Sequence, residues 1–483
     1  MLNSSLMDIL RSLNTSELKG LKEYIHSPFF NKNKNVQKLF TYIFRLYPDF
    51  PPEKMKKEYV YKKLFDPGKF NDGFMRTLIF LITKLAEDYL GYLNYTGNTY
   101  MPKLTILHEL NKRDVGRILM KNLKTTEAEW NRQKTRGEEY FKALQELEGI
   151  KNESIVLKEK VLNQKEISGD LTPNILFYQS VQYFIQSFNN YIFILNRQHL
   201  VNVDTDLLLM DEILQHVKKN YDKYSSIPLL KLLYNQVRLN LDPINEIHYR
   251  EVKEILIKHE EHLTFMEKYN AAIGLQNFCM RLYNAGNSDY LREYFTLIDF
   301  LLKGGYYSAK EGGWFVPQTF KNFVIVAINL KEFDWAEKFI KNYSKRLSPD
   351  FRENTFNFSM AKVCFGKEDF EKALWFISRV SYQDLYFKLE VRYYTLMLYF
   401  ELSMYSEAFD LVEAYKKYIN NNKLLSGILR TKHLAFIKYT SELLKMRTSD
   451  NYKKAIQIER ELRNPKLKVL NPAWLLEKTS ALL

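Results

Sequence analysis

A short pattern recurs three times in the second half of the chain: an aromatic residue, two mostly polar residues and then alanine. The copies are FDWA at 333–336, FEKA at 370–373 and YSEA at 405–408, so their alanines lie 37 and 35 residues apart. A constant period of about 20–50 residues is typical of proteins that stack similar units, because one unit cannot bury its apolar face alone. The pattern therefore predicts stacked repeats between residues 324 and 418.

Helical hairpins are the repeat unit that this pattern favours. Alanine is the strongest helix former, and its small side chain lets two helices cross closely. An aromatic residue three positions earlier lies on the same helix face and fills the space beside the crossing. We therefore expect Ala336, Ala373 and Ala408 to be buried, and we expect no β-sheet in this region.

The spacing and the aromatic-x-x-alanine core resemble the tetratricopeptide repeat over roughly a fifth of the chain, although the family's early tryptophan and late proline are missing. The resemblance implies a right-handed α-α superhelix of hairpins, with its best repeats at 318–418. Repeats of this family are mostly binding scaffolds. The resemblance thus also implies a non-enzymatic scaffold or adaptor that holds another protein or peptide in its concave face.

The composition extends the helical prediction to the whole chain. Only 17 glycines and 13 prolines occur among 483 residues, and 46% of the residues are hydrophobic. Few helix breakers and many apolar residues favour an all-α chain with a large core. We predict a helical N-terminal segment at 1–100, long helical hairpins at 101–205, and a tetratricopeptide-like solenoid with basic capping helices at 206–483.

Cysteine content and hydropathy bear on the compartment. Cys279 and Cys364 are too few for a disulfide framework or a cysteine metal site, and we predict that both are small buried hydrophobes, as suits a reducing compartment. The first 14 residues lack the pattern of a signal peptide, and no apolar run approaches the ~18 residues of a membrane span. These features predict a cytoplasmic protein with no membrane span.

No catalytic motif is recognisable, so we predict a protein without enzymatic activity, metal or cofactor. His259 and His262 lie three residues apart, whereas metalloprotease chemistry needs two histidines four residues apart on one helix face. Glu23 and His26 match one half of a di-iron motif, which requires a second such pair and two further glutamates. We interpret both patterns as ordinary helix residues.

The resemblance to tetratricopeptide repeats supplies candidate partner-binding residues. In that family, first-helix residues that face away from the packing seam line a peptide groove. The corresponding positions in this chain are Lys321, Asn322, Lys362, Tyr393 and Tyr394. Lysine and asparagine are residue types that hold a peptide carboxylate, although Ile325 stands where a further asparagine would help. The alternative is an ordinary solvated helix face.

The basic end of the chain supports an alternative function. Residues 416–483 carry 15 basic and 5 acidic side chains, and the formal net charge of the chain is +14. A basic region is the electrostatic footprint of nucleic acid or another anion, and it equally serves solubility. The alternative to a protein scaffold is therefore an RNA-, ribosome- or nucleic-acid-associated factor. Its candidate residues are Lys416, Lys417, Arg430, Lys432, Lys453, Lys454, Lys466 and Lys468.

The loop at 303–317 is the longest break in the predicted solenoid. A long loop is usually functional or flexible. Trp314 and Phe315, next to Pro317, support the second interpretation, in which aromatic side chains pin the loop to the surface.

Overall fold

The computed structural model describes residues 4–65, 69–162, 172–200, 205–381, 385–422, 425–449, 454–464 and 466–483. These residues form 24 α-helices and three short 3-10 helices, and no strand occurs among them. The all-α prediction is therefore confirmed. The chain divides into two compact units, one of Met1–Gln133 with Glu139–Gln179 and one of Lys134–Glu138 with Ser180–Leu483.

The first unit is organised around one long helix. Its first seven helices are α1 (Ser5–Ser12), α2 (Thr15–His26), α3 (Lys34–Phe44), α4 (Lys57–Leu64), α5 (Asp72–Gly97), α6 (Met101–Lys112) and α7 (Gly116–Asn131), and Glu139–Gln179 completes the unit. The central helix α5 packs against each of α1 to α4. It buries Met75, Leu78, Ile82, Ala86 and Tyr89, and this spacing places them on one face. The core of the unit therefore lies between α5 and the four shorter helices.

Asparagine side chains fix the ends of α2 and α3. Asn14 forms a capping box with Glu17 at the start of α2, and Asn33 accepts two backbone N–H groups at the start of α3. Between the two helices, the buried Asn31 donates from Nδ2 to the Ile25 carbonyl oxygen at 2.8 Å. Capping and this buried hydrogen bond set the path of the chain from α2 into α3.

The remaining helices follow in chain order. They are α8 (Glu138–Leu162), α9 (Thr172–Leu200), α10 (Met210–Lys219), α11 (Tyr221–Ser225), α12 (Pro228–Leu241), α13 (Glu246–Lys258), α14 (Phe265–Asn284), α15 (Asp289–Gly304), α16 (Pro317–Asn329), α17 (Phe333–Tyr343), α18 (Pro349–Gly366), α19 (Phe370–Ile377), α20 (Leu385–Glu401), α21 (Tyr405–Asn421), α22 (Gly427–Ser449), α23 (Ala455–Leu462) and α24 (Pro472–Ser480). None of the helices in the described ranges combines the length and the apolar character that crossing a membrane requires.

Successive helices of the second unit pack as hairpins. The pairs α12 with α13, α14 with α15, α16 with α17, α18 with α19 and α20 with α21 are in contact. In addition, α12 packs on α14 and α16 packs on α18, so first helices of neighbouring hairpins also meet. Each hairpin therefore buries its apolar face against the next one.

The repeat alanines lie inside this packing. Ala336, Ala373 and Ala408 are each 0% exposed, which confirms their predicted burial. Ala336 lies in α17, Ala373 in α19 and Ala408 in α21, the second helices of three consecutive hairpins. Cys279 and Cys364 are also buried and free, as predicted.

Enlarging a repeat alanine tests how closely the helices approach. We expect Ala373→Leu to lower the free energy of unfolding by about 1–3 kcal/mol, because extra methylene groups in a closely packed core force neighbours apart. Ala414→Leu is the matched control, since Ala414 is exposed on α21, and we expect a change within about 0.5 kcal/mol. Urea denaturation followed by circular dichroism measures both. Equal stability of the two variants would mean that residue 373 has room for a larger side chain.

The loop between α15 and α16 is packed on the protein. Phe315 is 1% exposed, its ring stacks on Tyr307 with centroids 4.2 Å apart, and its backbone N–H donates to the Arg346 carbonyl oxygen. Trp314 is 54% exposed. Of the two interpretations of this loop, the contacts favour anchoring, and Phe315 rather than Trp314 supplies the anchor.

Candidate functional site

The five predicted groove residues lie in the first helices of three consecutive hairpins. Lys321 and Asn322 are in α16, Lys362 is in α18, and Tyr393 and Tyr394 are in α20. A stack of hairpins brings such helices together, although 19 residues separate α16 from α18 and 18 residues separate α18 from α20. Helix α16 packs on α18, and side chains of both helices contact α20.

Three of these residues meet around one buried ring. Phe358 in α18 is 0% exposed, and the Lys321 and Lys362 ammonium groups lie 5.8 and 4.7 Å from its ring centroid. The Tyr394 ring meets the same ring edge-on at 5.7 Å. Ammonium groups are attracted to the negative face of an aromatic ring. Phe358 is thus the common neighbour of both lysines and the tyrosine.

Lys321 forms an ion pair between two hairpins. Its Nζ lies 2.7 Å from Oε2 of Glu390 in α20, and the lysine is 9% exposed. A buried ammonium is strongly unfavourable without a partner, and breaking such a pair leaves an uncompensated charge. The same ammonium lies 5.1 Å from the centroid of the Phe387 ring. Lys321 therefore joins α16 to α20 rather than lying on an open face.

Lys362 is more deeply enclosed. It is 5% exposed, and its ammonium lies 4.7 Å from the Phe358 centroid and 4.9 Å from the Tyr394 centroid. Burial lowers the pKa of this ammonium below its usual range, and the negative charge of Glu390 acts in the opposite direction. Glu390 and Tyr394 of α20 contact Lys321 and Lys362, respectively, and both lysines are largely buried rather than part of an ordinary solvated face.

The other two predicted residues have different surroundings. Tyr393 is half-buried and packs on Phe436 of α22, with ring centroids 4.7 Å apart; burial raises its pKa well above the usual value. Asn322 is half-buried, and its Oδ1 accepts a hydrogen bond from Nε2 of Gln318 at 3.0 Å. Tyr393 therefore contributes to the packing of α20 on α22.

A cavity of about 520 Å³ opens between α16, α20 and α22, and we call it the interhelix cavity. Its lining residues are Gln318, Lys321, Phe387, Leu389, Glu390, Leu429 and His433. They combine an ammonium, a carboxylate, an amide and an imidazole with three apolar side chains. Cavities of about 300–1,000 Å³ with apolar walls and a few polar groups are typical of ligand sites. The interhelix cavity has both features.

His433 is held by a chain of hydrogen bonds. Its Nδ1 lies 2.5 Å from the Tyr415 hydroxyl, which donates to the Leu389 carbonyl oxygen at 3.1 Å. Both bonds form when Nδ1–H donates to the hydroxyl oxygen, which leaves Nε2 as an acceptor. Burial lowers the pKa of His433 to about 4, although Glu390 opposes this shift. The imidazole is therefore neutral at pH 7 and offers an acceptor rather than a charge.

The basic residues predicted at the C-terminal end differ in their surroundings. Lys416 pairs with Glu413 at 2.9 Å, and Lys454 pairs with Glu442 at 3.1 Å. The Arg430 guanidinium donates to a backbone carbonyl oxygen at 2.8 Å. Surface ion pairs of this kind partly neutralise the positive charge and contribute little to stability.

The other predicted basic residues are less constrained. Lys417, Lys466 and Lys468 are exposed and Lys432 is half-buried; no carboxylate of the described chain lies within 4.0 Å of these four ammonium groups. Lys453 lies outside the described residues. The region therefore offers a few unpaired charges within a partly neutralised surface.

His259 caps the C-terminal end of α13, and His262 lies in the 3-10 helix that follows it. His262 Nδ1 lies 2.8 Å from the Lys134 carbonyl oxygen. In the described part of the chain, no group of three or more histidine, cysteine, aspartate or glutamate side chains could hold a metal ion.

Sequence reasoning missed Phe358, Phe387, Glu390 and His433, which complete the site. The sequence contains little indication that these residues belong to the site, because the side chains that meet there come from helices far apart in the sequence. The Lys321–Glu390 pair spans 69 residues. Only the packing of α16, α18, α20 and α22 in the tertiary structure brings these groups together.

The chain was compared with protein-family models, with curated proteins and with solved structures, and nothing matches in any of the three. The fold itself defines the class: an all-α protein whose second unit is a series of packed helical hairpins.

Proposed function

We propose that the protein is a non-enzymatic scaffold that holds a segment of another protein in the interhelix cavity. The observation that carries this proposal is the origin of the lining, because α16 and α20, the first helices of two hairpins, and α22, which packs on α21, all contribute to one cavity. Such a row of helices is the surface that helical-repeat proteins use to bind extended or helical segments. The packing of α12 on α14 and of α16 on α18 supports a tetratricopeptide-like superhelix as part of this proposal.

The lining suits a peptide segment with an apolar side chain. Phe387, Leu389 and Leu429 supply apolar contact, while Gln318 and neutral His433 are suited to hydrogen bonds with peptide groups. Lys321 and Glu390 compensate each other's charge at 2.7 Å. A site with balanced charge selects by shape and hydrogen bonding more than by net charge. The proposed partner is therefore an uncharged stretch of a protein chain.

Site-specific photocrosslinking tests this proposal in cells of the native source. A photoreactive phenylalanine derivative replaces Leu429, which is half-buried at the cavity, and the control carries it at the exposed Ala414 of α21. We expect a specific partner to be crosslinked at position 429 and not at position 414. Mass spectrometry then identifies the segment of the partner that is attached.

The identified segment provides the quantitative test. We expect a synthetic peptide of that segment to bind the wild-type protein, and Leu429→Arg to weaken binding by about tenfold or more, since a charged side chain would fill the cavity beside Lys321. Titration calorimetry measures both affinities. Identical crosslinked proteins at positions 429 and 414, or equal affinities of the two proteins, would refute the proposal.

The basic C-terminal region supports a nucleic-acid-associated function less strongly. Two of its candidate lysines already pair with glutamates, and Arg430 is engaged with a backbone oxygen. Lys417, Lys432, Lys466 and Lys468 remain the described residues through which that alternative would operate.

A further inference from the structure

The first unit contains a basic concave surface that the proposed scaffold function does not use. It encloses about 550 Å³ and we call it the N-terminal cleft. Its lining residues are His26, Lys34, Gln37, Lys38, Thr41, Tyr42, Arg45, Leu46, Lys54, Lys63 and Leu64. Five of these side chains are lysine or arginine, and none is acidic. The cleft therefore concentrates positive charge on a concave surface.

Helix α3 and its C-terminal cap residue Arg45 supply six of the eleven lining residues. Lys34, Lys38 and Arg45 lie at positions i, i+4 and i+11, so they form a stripe on one helix face. The helix rises 1.5 Å per residue, and the stripe therefore extends about 16 Å from Lys34 to Arg45. Gln37 and Thr41 lie on the same face between the charges. This arrangement presents cations at intervals along a line.

Contacts with Thr41 and Tyr42 place the other cleft residues on two sides of that stripe. The His26 Nε2 lies 3.0 Å from the Thr41 hydroxyl. On the other side, the Lys63 ammonium lies 5.2 Å from the centroid of the Tyr42 ring, whose hydroxyl donates to the Lys54 carbonyl oxygen at 3.0 Å. The stripe of α3 is thus flanked by His26 on one side and by Lys54 and Lys63 on the other.

The five cations of the cleft have no internal counter-charge. Each of them is exposed, and no carboxylate of the described residues lies within 4.0 Å of their nitrogen atoms. Elsewhere in the same unit, Lys57 pairs with Asp72 at 2.9 Å and Lys84 pairs with Glu87 at 2.6 Å. Like charges four residues apart on a helix destabilise it slightly. An anionic partner would remove that repulsion.

An exposed aromatic residue accompanies the charges. Tyr59 is 44% exposed, and the Lys63 ammonium lies 5.7 Å from the centroid of its ring. Aromatic faces beside a basic groove stack on bases, whereas carboxylates of acidic peptides and lipid headgroups offer no ring for stacking. Tyr59 therefore favours nucleic acid among the anionic partners.

We propose that the N-terminal cleft binds single-stranded nucleic acid through its phosphate groups, with Tyr59 as a stacking platform. Many proteins recognise a DNA duplex by placing a protruding helix in its groove. Helix α3 lines a concave surface and therefore cannot enter the groove of a duplex. A bilayer surface is flat and would not reach the floor of the cleft. A single strand follows a charged groove and places a phosphate at each nucleotide along it.

The direct test measures binding of a fluorescent oligouridine of about 12 nucleotides to the full chain by anisotropy, over a series of salt concentrations. We expect log K to fall linearly with log salt, by about 0.7 for each neutralised phosphate. The cleft variant carries Lys34→Glu, Lys38→Glu and Arg45→Glu. We expect it to bind at least about tenfold more weakly at low salt, with a slope shallower by about 2.

A matched control separates the cleft from the net charge of the chain. Lys112→Glu, Lys121→Glu and Lys124→Glu change the charge by the same amount at exposed residues of the same unit that do not line the cleft. We expect a loss of less than about threefold, because screening limits the effect of distant charges. Equal losses in the two triple variants, or wild-type binding by the cleft variant, would overturn the proposal. Lys34→Gln, Lys38→Gln and Arg45→Gln replace the cleft variant if charge reversal prevents folding.

Two further measurements, one with variants of Tyr59 and one with competitors, identify the class of partner. We expect Tyr59→Ala to weaken oligouridine binding by about fivefold or more without changing the salt slope, and Tyr59→Phe to retain binding, since stacking contributes about 1–3 kcal/mol per base. Polyglutamate and phosphatidylserine vesicles at equal negative charge serve as competitors. Stronger cleft-dependent binding of either competitor than of oligouridine would overturn the assignment to nucleic acid.

Discussion

Replacing Phe358 with alanine is expected to lower the free energy of unfolding by about 3–5 kcal/mol. The ring is 0% exposed, and it contacts Phe387 with centroids 5.0 Å apart and Tyr394 at 5.7 Å. Its removal would leave a void between α18 and α20. It would also withdraw the aromatic face that the Lys321 and Lys362 ammonium groups share. Urea denaturation at pH 7.5 measures the change.

Phe358→Leu separates packing from the interaction of the ring with the two ammonium groups. Leucine fills much of the same volume but offers no aromatic face, so we expect a smaller loss of about 1–3 kcal/mol. Combining Phe358→Leu with Lys362→Met should then destabilise the protein by less than the sum of the two single changes, because the contacts are shared. A loss below about 1 kcal/mol for Phe358→Ala would show that the ring is not part of a tightly packed core.

The sequence pattern was sufficient to predict the helical packing around the repeat alanines. In a helix, an aromatic residue and an alanine three positions apart lie on the same face. Because an apolar face packs against a neighbouring helix, the burial of Ala336, Ala373 and Ala408 could be predicted from the local pattern. Their 0% exposure agrees with this reasoning. The absence of strands in the described residues likewise follows from a composition with few helix breakers.

The surroundings of the predicted groove residues depend on tertiary structure and could not be predicted in the same way. Lys321 has a charged side chain, and local sequence gives no reason to bury it. Its burial depends on Glu390, which lies 69 residues later and arrives with α20. Lys362 depends in the same way on Tyr394. Identifying a first-helix position is therefore not enough to decide whether that position faces a groove or a neighbouring helix.

The N-terminal cleft could be predicted from the sequence only in part. The positions of Lys34, Lys38 and Arg45 can be assigned to one face of α3 from sequence alone, because they follow the helical period. The sequence does not reveal that Lys54 and Lys63 flank that face, since this depends on the contacts of Tyr42. The stripe was therefore predictable, whereas its enclosure in a concave surface required the tertiary structure.

Acidification from pH 7 to about pH 4 is expected to remove about 3 kcal/mol of stability through His433 alone. Its pKa is lowered from 6.5 to about 4 in the folded protein, mainly by burial. Between these two values the unfolded chain binds the proton and the folded protein does not. The folded state is therefore fully stabilised above about pH 6.5, and this contribution is lost progressively as the pH falls through the window towards 4.

His433→Gln isolates this contribution from the titration of the carboxylates. The amide N–H group of glutamine can donate to the Tyr415 hydroxyl, as Nδ1–H does at 2.5 Å, but it does not bind a proton in this range. We expect the variant to be less stable than the wild type at pH 7.5, and we expect the difference to shrink by about 3 kcal/mol, or to reverse, by pH 4. Urea denaturation curves of the two proteins at intervals of pH measure this difference. Because every other titrating group is common to both proteins, a difference that is independent of pH would mean that His433 has the same proton affinity in the folded and unfolded states.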